Sequence, residues 1–332
     1  MNHLVPFRVT PLLVDKPWGG SRLSRIGRKV AADGHVGESW DLVDLQTTMT
    51  GVEDAVSRVS GGRFDGRPLN ELVRDHAAEL LGPAFTGAGS FPLLVKHIDA
   101  RENLSVQVHP PAELVARTPG TWLKTESWVV VAADPGAELM IGLRPEVTFD
   151  ELRAAAGTQA MVGLLARVPA RVGDVIHVPA GLVHALGAGV VVTEVQSPSD
   201  TTFRLYDWPE EYGRAERELH LDDAVEAIVA AWEENHAPIE PVQHDGRVVA
   251  TDLYTIDRRR TTTRRLLNVP SRGSARVLVV LSGRVRIPDL GEPLLTGGLA
   301  VLPAAWSGEM ISGAGAVWLE VDLAPPPPGG SS

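Results

Sequence analysis

Ser105-Val-Gln-Val-His109 and Gly173-Asp-Val-Ile-His-Val-Pro-Ala-Gly-Leu-Val-His184 are the two stretches on which the reading of this chain turns. The first alternates as a strand does, so Gln107 and His109 share one face while Val106 and Val108 share the other. The second runs as a strand into a Pro-Ala-Gly turn and delivers His184 just beyond it. Between the two, Lys124-Thr-Glu126 forms a further i, i+2 pair. Two imidazoles, a carboxylate and an amide oxygen make a donor set for a borderline divalent cation such as zinc. Pro179 and Gly181 fix a turn of the kind found at the mouth of a small barrel, where a strand end and the residue after the turn reach one cavity.

A single histidine on a strand is more often structural or exposed than a ligand, so neither His109 nor His184 carries the case alone. The bland alternative places Gln107 and His109 on the solvent face of an antiparallel strand and leaves Glu126 as a surface carboxylate beside Lys124. Against it stands the need for three separate segments to mimic one spacing. His177 lies inside the strand before the turn and reads as a structural histidine, and His97 is no more persuasive.

The bulk composition narrows the classes. A chain of 332 residues suggests two domains or one large β domain with insertions, and 44% hydrophobic residues suffice for a packed core. The net charge of −11 argues against a nucleic-acid partner, although local lysines and arginines can still favour a phosphorylated small molecule. With no cysteine, disulfides and thiolate metal sites are impossible. No apolar run approaches the roughly 20 residues of a membrane helix, and Met1-Asn-His-Leu-Val-Pro-Phe-Arg8 carries no signal-peptide core. The expectation is a cytoplasmic protein without membrane partners, monomeric or weakly self-associating.

Val9 to Val14 and Ser39 to Leu45 read as strands, and Asn70 to Leu81 switches to a helical period that Gly82-Pro83 stops. Phe91 to His109 gives two strands split near Ala100 to Asn103, and Ser127 to Ala133 reads as a strand buried on both faces. Thr148 three residues before Glu151 is a capping-box signature. Gln159 to Leu165 and Leu221 to Trp232 read as further helices. After Pro238 to Pro241, strands are expected at Val248 to Ile256, Thr262 to Val269, Ala275 to Leu281, Val285 to Ile287, Leu299 to Leu302 and Val317 to Val321. The fold class is therefore mainly β with helical insertions. Residues 1–237 form one domain with insertions at about 63–82, 148–166 and 217–235. Residues 238–324 form a second, smaller β-sandwich, and 325–332 a disordered tail.

The Gly-Asp-x4-Pro-x-Gly-x2-His spacing resembles the second motif of the cupin superfamily, whose first motif supplies two ligands at i, i+2 and a later glutamate. Four ordered blocks then narrow the resemblance to type I mannose-6-phosphate isomerases in their short bacterial form: Phe91 to Pro110, Leu123-Lys-Thr-Glu-Ser-Trp128, Val178-Pro-Ala-Gly-Leu-Val-His-Ala185, and Glu194 to Trp208. Pro17-Trp-Gly-Gly20, Gly37-Glu-Ser-Trp40 and Arg217-Glu-Leu-His-Leu221 also match. The resemblance covers about residues 8–235 and extends to the rest by architecture. It implies a jelly-roll (cupin) barrel followed by a cupin-like β domain. It also implies a zinc-dependent aldose–ketose isomerase, with one zinc per chain, interconverting mannose 6-phosphate and fructose 6-phosphate. Gln107, His109, Glu126 and His184 fall on its metal-ligand positions, Arg204 on its active-site arginine, Lys124 on a lysine beside the metal-binding glutamate, and Glu194 on a pocket carboxylate. Phe203 departs from a frequent tyrosine, Ser127 from a small residue or cysteine, and Pro209-Glu-Glu-Tyr212 expands the stretch after Asp-Trp.

Moving a carbonyl between C1 and C2 needs a base and an acid, and positive charge near the enediolate oxygens. Lys124 is a candidate acid/base if it shares a face with Glu126, with Glu194 and Asp200 as alternative bases. Arg204 suits the enediolate oxygens or a phosphate through its two-donor fork, its ordinary alternative being a salt bridge to Asp207. Lys96, Ser105 and the hydroxyls of Ser197 and Ser199 are candidates to reach a 6-phosphate near the rim, with Asp200 beside the substrate. Trp18 and Trp40 are candidates to line a sugar pocket. Competing readings are a cupin isomerase or epimerase of non-phosphorylated sugars, and a non-catalytic sugar-binding protein pinned by its metal.

Overall fold

The computed structural model describes residues 4–50 and 52–325; the tail expected at 325–332 therefore lies, beyond Pro325, outside the described residues. Two β-sandwiches follow one another. The first pairs a six-stranded sheet with a five-stranded one. The six-stranded sheet runs, in spatial order, Val175–Val178, Glu126–Ala133, Val190–Gln196, Leu94–Ala100, Val36–Leu42 and Leu12–Gly20. The five-stranded sheet runs Phe203–Tyr206, Val106–Val108, His184–Leu186, Glu138–Leu143 and Leu165–Pro169. All neighbouring pairs in both are antiparallel. This is the mainly β, cupin-type architecture that the motifs imply.

The six-stranded sheet is covered on both faces, which explains its unbroken apolar text. Trp128, Val130, Ile98 and Val192 face inward, towards Leu139, Ile141 and Leu186 of the opposite sheet. Val129, Val95, Val195 and Val175 face the other way and share one apolar cluster with Tyr254, Ile256, Val277 and Leu319 of the second sandwich. The second sandwich consists of a five-stranded and a four-stranded sheet between Gly246 and Leu323. The chain start joins it too, because Phe7 and Val301 exchange both backbone hydrogen bonds, at 3.1 and 2.9 Å.

Several boundaries differ from expectation. The insertion expected from residue 63 opens with a short 3-10 helix at Gly62–Phe64 and becomes α-helical over Leu69–Leu80, with Pro68 holding extended backbone before it. The helix expected over Leu221 to Trp232 ends at Ala230, and a second turn, Trp232–His236, starts after a break at Ala231. Val248 to Ile256 is a hairpin, not one strand: the Thr251 hydroxyl accepts the Leu253 and Tyr254 N–H groups and turns the chain. The strand Gly308–Ser312, short and flanked by glycine, was not expected at all. Thr148 and Glu151 do form the reciprocal capping box ahead of Phe149–Ala155. Among the described residues, no helix is long and apolar enough to cross a membrane.

Asp44 gives the fold a pH signature. It is buried, and its carboxylate accepts the Phe91 N–H at 2.7 Å. Burial outweighs that bond and pushes its pKa up to about 6. A folded-state value above the unfolded one favours the protonated form, so its stability contribution is complete below about pH 4 and lost as pH rises through about 6. Asp44→Asn keeps the acceptor and removes the charge. It should stabilise the protein by about 1–2 kcal/mol at pH 7.5 and by nothing at pH 4. Denaturant titration at the two pH values checks this; equal effects at both would rule the account out.

Candidate active site

A cavity of about 180 Å³ opens between the inner faces of the first two sheets. Strand register decides what lines it. Arg204 pairs with Gln107, and Gln107 pairs with His184, so three adjacent strands present these side chains in one row. On the facing sheet Glu194 lies between Lys96 and Trp128, while Glu126 pairs with Gln196. Strand alternation puts Lys96, Glu194, Glu126 and Glu38 on the inner face and leaves the intervening residues to the apolar back face.

At the cluster's centre, the carboxylate of Glu126 bridges both histidines. One oxygen lies 3.2 Å from His109 Nε2 and the other 3.4 Å from His184 Nε2, and all three groups are buried. His109 faces the Thr201 carbonyl through Nδ1 at 2.9 Å, and His184 faces the Leu182 carbonyl at 2.8 Å. A carbonyl can only accept, so each Nδ1 donates and each Nε2 is left as a lone pair aimed at the carboxylate. Burial, with Lys124 adding to it, drives His109 down to about 3, and burial likewise lowers His184. Burial works to raise Glu126, but Lys124, whose ammonium is 2.9 Å away, and His109 hold it well below the usual carboxylate range. His109 Nε2 and both Glu126 oxygens are buried without a hydrogen-bond partner among the described residues.

Lone pairs facing a carboxylate repel one another unless a cation sits among them. His109, Glu126 and His184 offer ligand atoms within 4.8 Å of one another, and these N and O donors fit a divalent metal. Gln107 completes the set: its amide lies 3.2 Å from His184 Nε2, with its oxygen accepting from Ser105 Oγ at 3.1 Å. Amide orientation is a matter of which end each neighbour prefers. A half-turn sends the oxygen to the cluster and the NH2 to the Ser105 hydroxyl, which can equally accept.

Lys124 lies just before the Glu126–Ala133 strand, not within it, yet its side chain reaches the cluster. Glu194 is buried, accepts the Trp128 indole N–H at 3.0 Å and is pushed up to about 7, mainly by burial and then by Glu126. Three expectations need correction. Lys96 and Ser105 are buried and not at a rim, though both line the cavity. The Lys96 ammonium is caged by Asp200 at 3.1 Å, Glu38 at 3.4 Å and Glu194 at 3.9 Å. Ser197 and Ser199 give their hydroxyls to the backbone carbonyls of Leu123 and Trp122 and do not line the cavity. Trp18 lines it, but Trp40 sits beneath, with its indole N–H on Glu38 and its ring 5.0 Å from the Lys96 ammonium. Arg204 lines the cavity without pairing to Asp207, which Arg214 and Arg217 occupy.

Lys16, Glu38, Thr202 and Arg217 also line the cavity and were missed. Glu38 carries a readable signal, an acid alternating with Trp40 in a strand that proves buried throughout. Burial works to raise its pKa, but Lys16 and Lys96 outweigh that and hold it at about 2.

The turn that carries His184 is locked from behind. Gly181 has φ +85°, and a Cβ there would lie 2.5 Å from Ala231 Cβ. Its N–H donates to the His109 carbonyl at 2.8 Å, tying the two motifs together. Asn235, buried, donates to the carbonyls of Gly181, Ile228 and Ala231 and accepts the Val183 N–H. That role explains the break in the helix before it.

A jelly-roll with a buried histidine–glutamate–histidine cluster defines the class: a cupin with a metal-ligand donor set beside a buried lysine and a second buried glutamate. Mannose-6-phosphate isomerase of Streptococcus mutans is 35% identical over 226 residues, 67% of this chain and 67% of that protein. The crystal structure of the mannose 6-phosphate isomerase from Bacillus subtilis matches with a TM-score of 0.76 at 26% identity, covering 96% of this chain and 99% of that one. A mannose 6-phosphate isomerase solved with zinc and yttrium shares the fold, at 15% identity and a TM-score of 0.67 over 96% of this chain and 100% of that one. No protein-family model matches. The chain belongs to the mannose-6-phosphate isomerase family.

Removing the lock should cost stability before chemistry. Asn235→Ala strands the Val183 N–H and the Gly181 carbonyl in the core and should destabilise by about 2–3 kcal/mol. Gly181→Ala, which adds strain and a clash, should be at least as damaging. Thermal melts check both, and wild-type melting of Asn235→Ala would remove the clamp from the account.

Proposed function

We propose that this chain interconverts mannose 6-phosphate and fructose 6-phosphate through an enediolate, with one zinc ion held by Gln107, His109, Glu126 and His184. The observation that carries the metal is the set of buried acceptors facing one another, with both Nε2 atoms unprotonated by their Nδ1 bonds. When bound, a zinc ion supplies positive charge that stabilises substrate oxygens as charge develops on them.

The remaining work falls to side chains of this chain. In the open-chain aldose, a base removes the C2 proton, the electrons close a C1–C2 double bond, and the C1 carbonyl oxygen takes up charge. Returning a proton to C1, with loss of the O2 proton and protonation of O1, gives the ketose. Glu194, buried near neutrality, suits the carrier between C2 and C1. Lys124 suits donation to the oxygens, and Asp200 orients Lys96 beside them. Arg204 holds an anionic group of the substrate. Residues 1–237 would carry the catalysis, and 238–324 the bracing of its sheet, in a cytoplasmic enzyme whose partner is a sugar phosphate.

Purified protein should form fructose 6-phosphate from mannose 6-phosphate in a coupled assay. Chelation should abolish this and zinc restore it. His109→Ala and His184→Ala should lose most of their zinc by elemental analysis. Glu194→Gln should keep its zinc and lose about 10²–10⁴-fold in kcat. Full activity after verified zinc removal would sink the metal role, and turnover of mannose but not of its phosphate would favour a non-phosphorylated substrate.

A further inference from the structure

A second cavity, of about 290 Å³, lies at the seam between the two sandwiches and is larger than the active-site cavity. One wall is the strand Arg8–Thr10 and the Ile26-Gly27-Arg28 stretch at the end of the short helix Arg22–Ile26. The other is the Pro293 to Leu299 stretch of the second sandwich. Gly297 lets the walls meet: its φ is +79°, and a Cβ there would lie 2.6 Å from Ile26 Cβ. The linings of the two cavities share no residue.

Two guanidiniums line the seam cavity, Arg8 and Arg28, against a single carboxylate, Asp41. That carboxylate is already spent: it accepts Arg28 Nη2 at 2.7 Å, Ser39 Oγ at 2.5 Å and the buried His97 Nδ1. Arg28 is fully engaged as well. Its Nη2 also donates to the Gly297 carbonyl at 2.8 Å and its Nη1 to the Ile26 carbonyl at 3.2 Å, so it staples the two walls. Arg8 differs. Its Nη2 crosses the seam to the Glu292 carbonyl, but no carboxylate lies within ion-pair distance of it among the described residues, and its Nε is buried without a hydrogen-bond partner among them. A staple needs only the Nη2 bond, and the bare Nε costs stability unless something meets it. An anion in the cavity would supply both the counter-charge and the missing acceptor.

Much of the remaining lining is apolar, with Val9, Ile26, Leu294 and Leu299 among it. A bare inorganic ion would leave these side chains against water, whereas a hydrocarbon body would cover them. We propose that the seam cavity is a second ligand site that takes a small organic monocarboxylate, its charged end on Arg8 and its body against Val9, Ile26, Leu294 and Leu299. One negative charge matches the one cation of the lining that has no acid of its own, and Asp41 on the same lining repels a second. The site is separate from the isomerase reading and stands whether or not that reading holds. A ligand there touches both sandwiches at once, so binding stabilises their docked state.

Hexanoate is the probe, and hexan-1-ol its uncharged match. Calorimetry and thermal melts are run on the full chain with zinc, on the same protein after chelation, and on Arg8→Gln and Thr296→Trp, the last placing an indole in the cavity from its lining. Hexanoate should bind wild type with a Kd of about 1 mM or tighter and raise its melting temperature. Binding should survive chelation, which separates this site from a carboxylate held by a metal. Arg8→Gln should weaken hexanoate binding about 10-fold or more, and hexan-1-ol should bind wild type weaker than hexanoate by a similar factor. Thr296→Trp should abolish binding, and it carries the test if the glutamine variant does not fold. Absence of binding at about ten times that concentration, binding that chelation removes, or wild-type affinity in a folded Arg8→Gln or Thr296→Trp protein would each overturn the proposal.

Discussion

A buried carboxylate held between two imidazole lone pairs is the most demanding arrangement in this molecule. Each unsatisfied polar group in the interior costs about 1–3 kcal/mol, and His109 Nε2 and both oxygens of Glu126 have no hydrogen-bond partner among the described residues. Only Lys124 directly offsets the carboxylate. Everything nearby acts to keep the lone pairs facing one another. Backbone carbonyls fix both tautomers, the Gly181 N–H ties one histidine's strand to the other's turn, and Asn235 closes the turn from behind. Such an arrangement is preorganised for a cation and is poorly suited to any neutral occupant.

The same sheets that assemble the cluster also sort charge along the cavity. Because strand alternation sends every second residue inward, Glu38, Lys96 and Glu194 meet across three adjacent strands, and each lysine arrives with its acids already beside it. The arginines arrive differently, Arg204 from a strand of the facing sheet and Arg217 from an irregular segment, and Asp207 is taken by Arg217 and Arg214. Each lysine is thus neutralised by acids, whereas the buried Nε of Arg204 has no hydrogen-bond partner among the described residues.

The ligand cluster was legible because its signals are local: an i, i+2 pair on one strand, a Pro-Ala-Gly turn, and a histidine at a fixed distance beyond it. The helix at Leu69–Leu80 and the capping box at Thr148 were legible for the same reason. The misreadings share a cause in strand pairing. Lys96 reads as a free cation until the Val36–Leu42 and Val190–Gln196 strands are laid on either side and bring Glu38 and Glu194 with them. Trp40 reads as a pocket wall until Lys96 covers it. Arg217 and Asn235 matter through partners 10 and 54 residues away, Asp207 and Gly181, which no periodicity announces. The hairpin at Thr251 was hidden because its turn is made by a hydroxyl, without glycine or proline.

Among the described residues, the second sandwich contributes none to the active-site cavity lining, yet it touches the six-stranded sheet at a telling point. The Tyr254 hydroxyl donates to the Val195 carbonyl at 3.0 Å and lies 3.0 Å from Ser127 Oγ, which in turn lies 3.0 Å from His177 Nδ1. Ser127 and Val195 are the back-face neighbours of Glu126 and Glu194. In a strand a displacement of one residue carries its neighbour with it, since the two share a peptide plane. Three strands of the six-stranded sheet are thus pinned together from behind, directly under the carboxylates of Glu126 and Glu194. A jelly-roll alone would expose the valines of that back face to water. Covering it with a second sandwich both buries them and fixes the register in which Glu126 and Glu194 face the cavity.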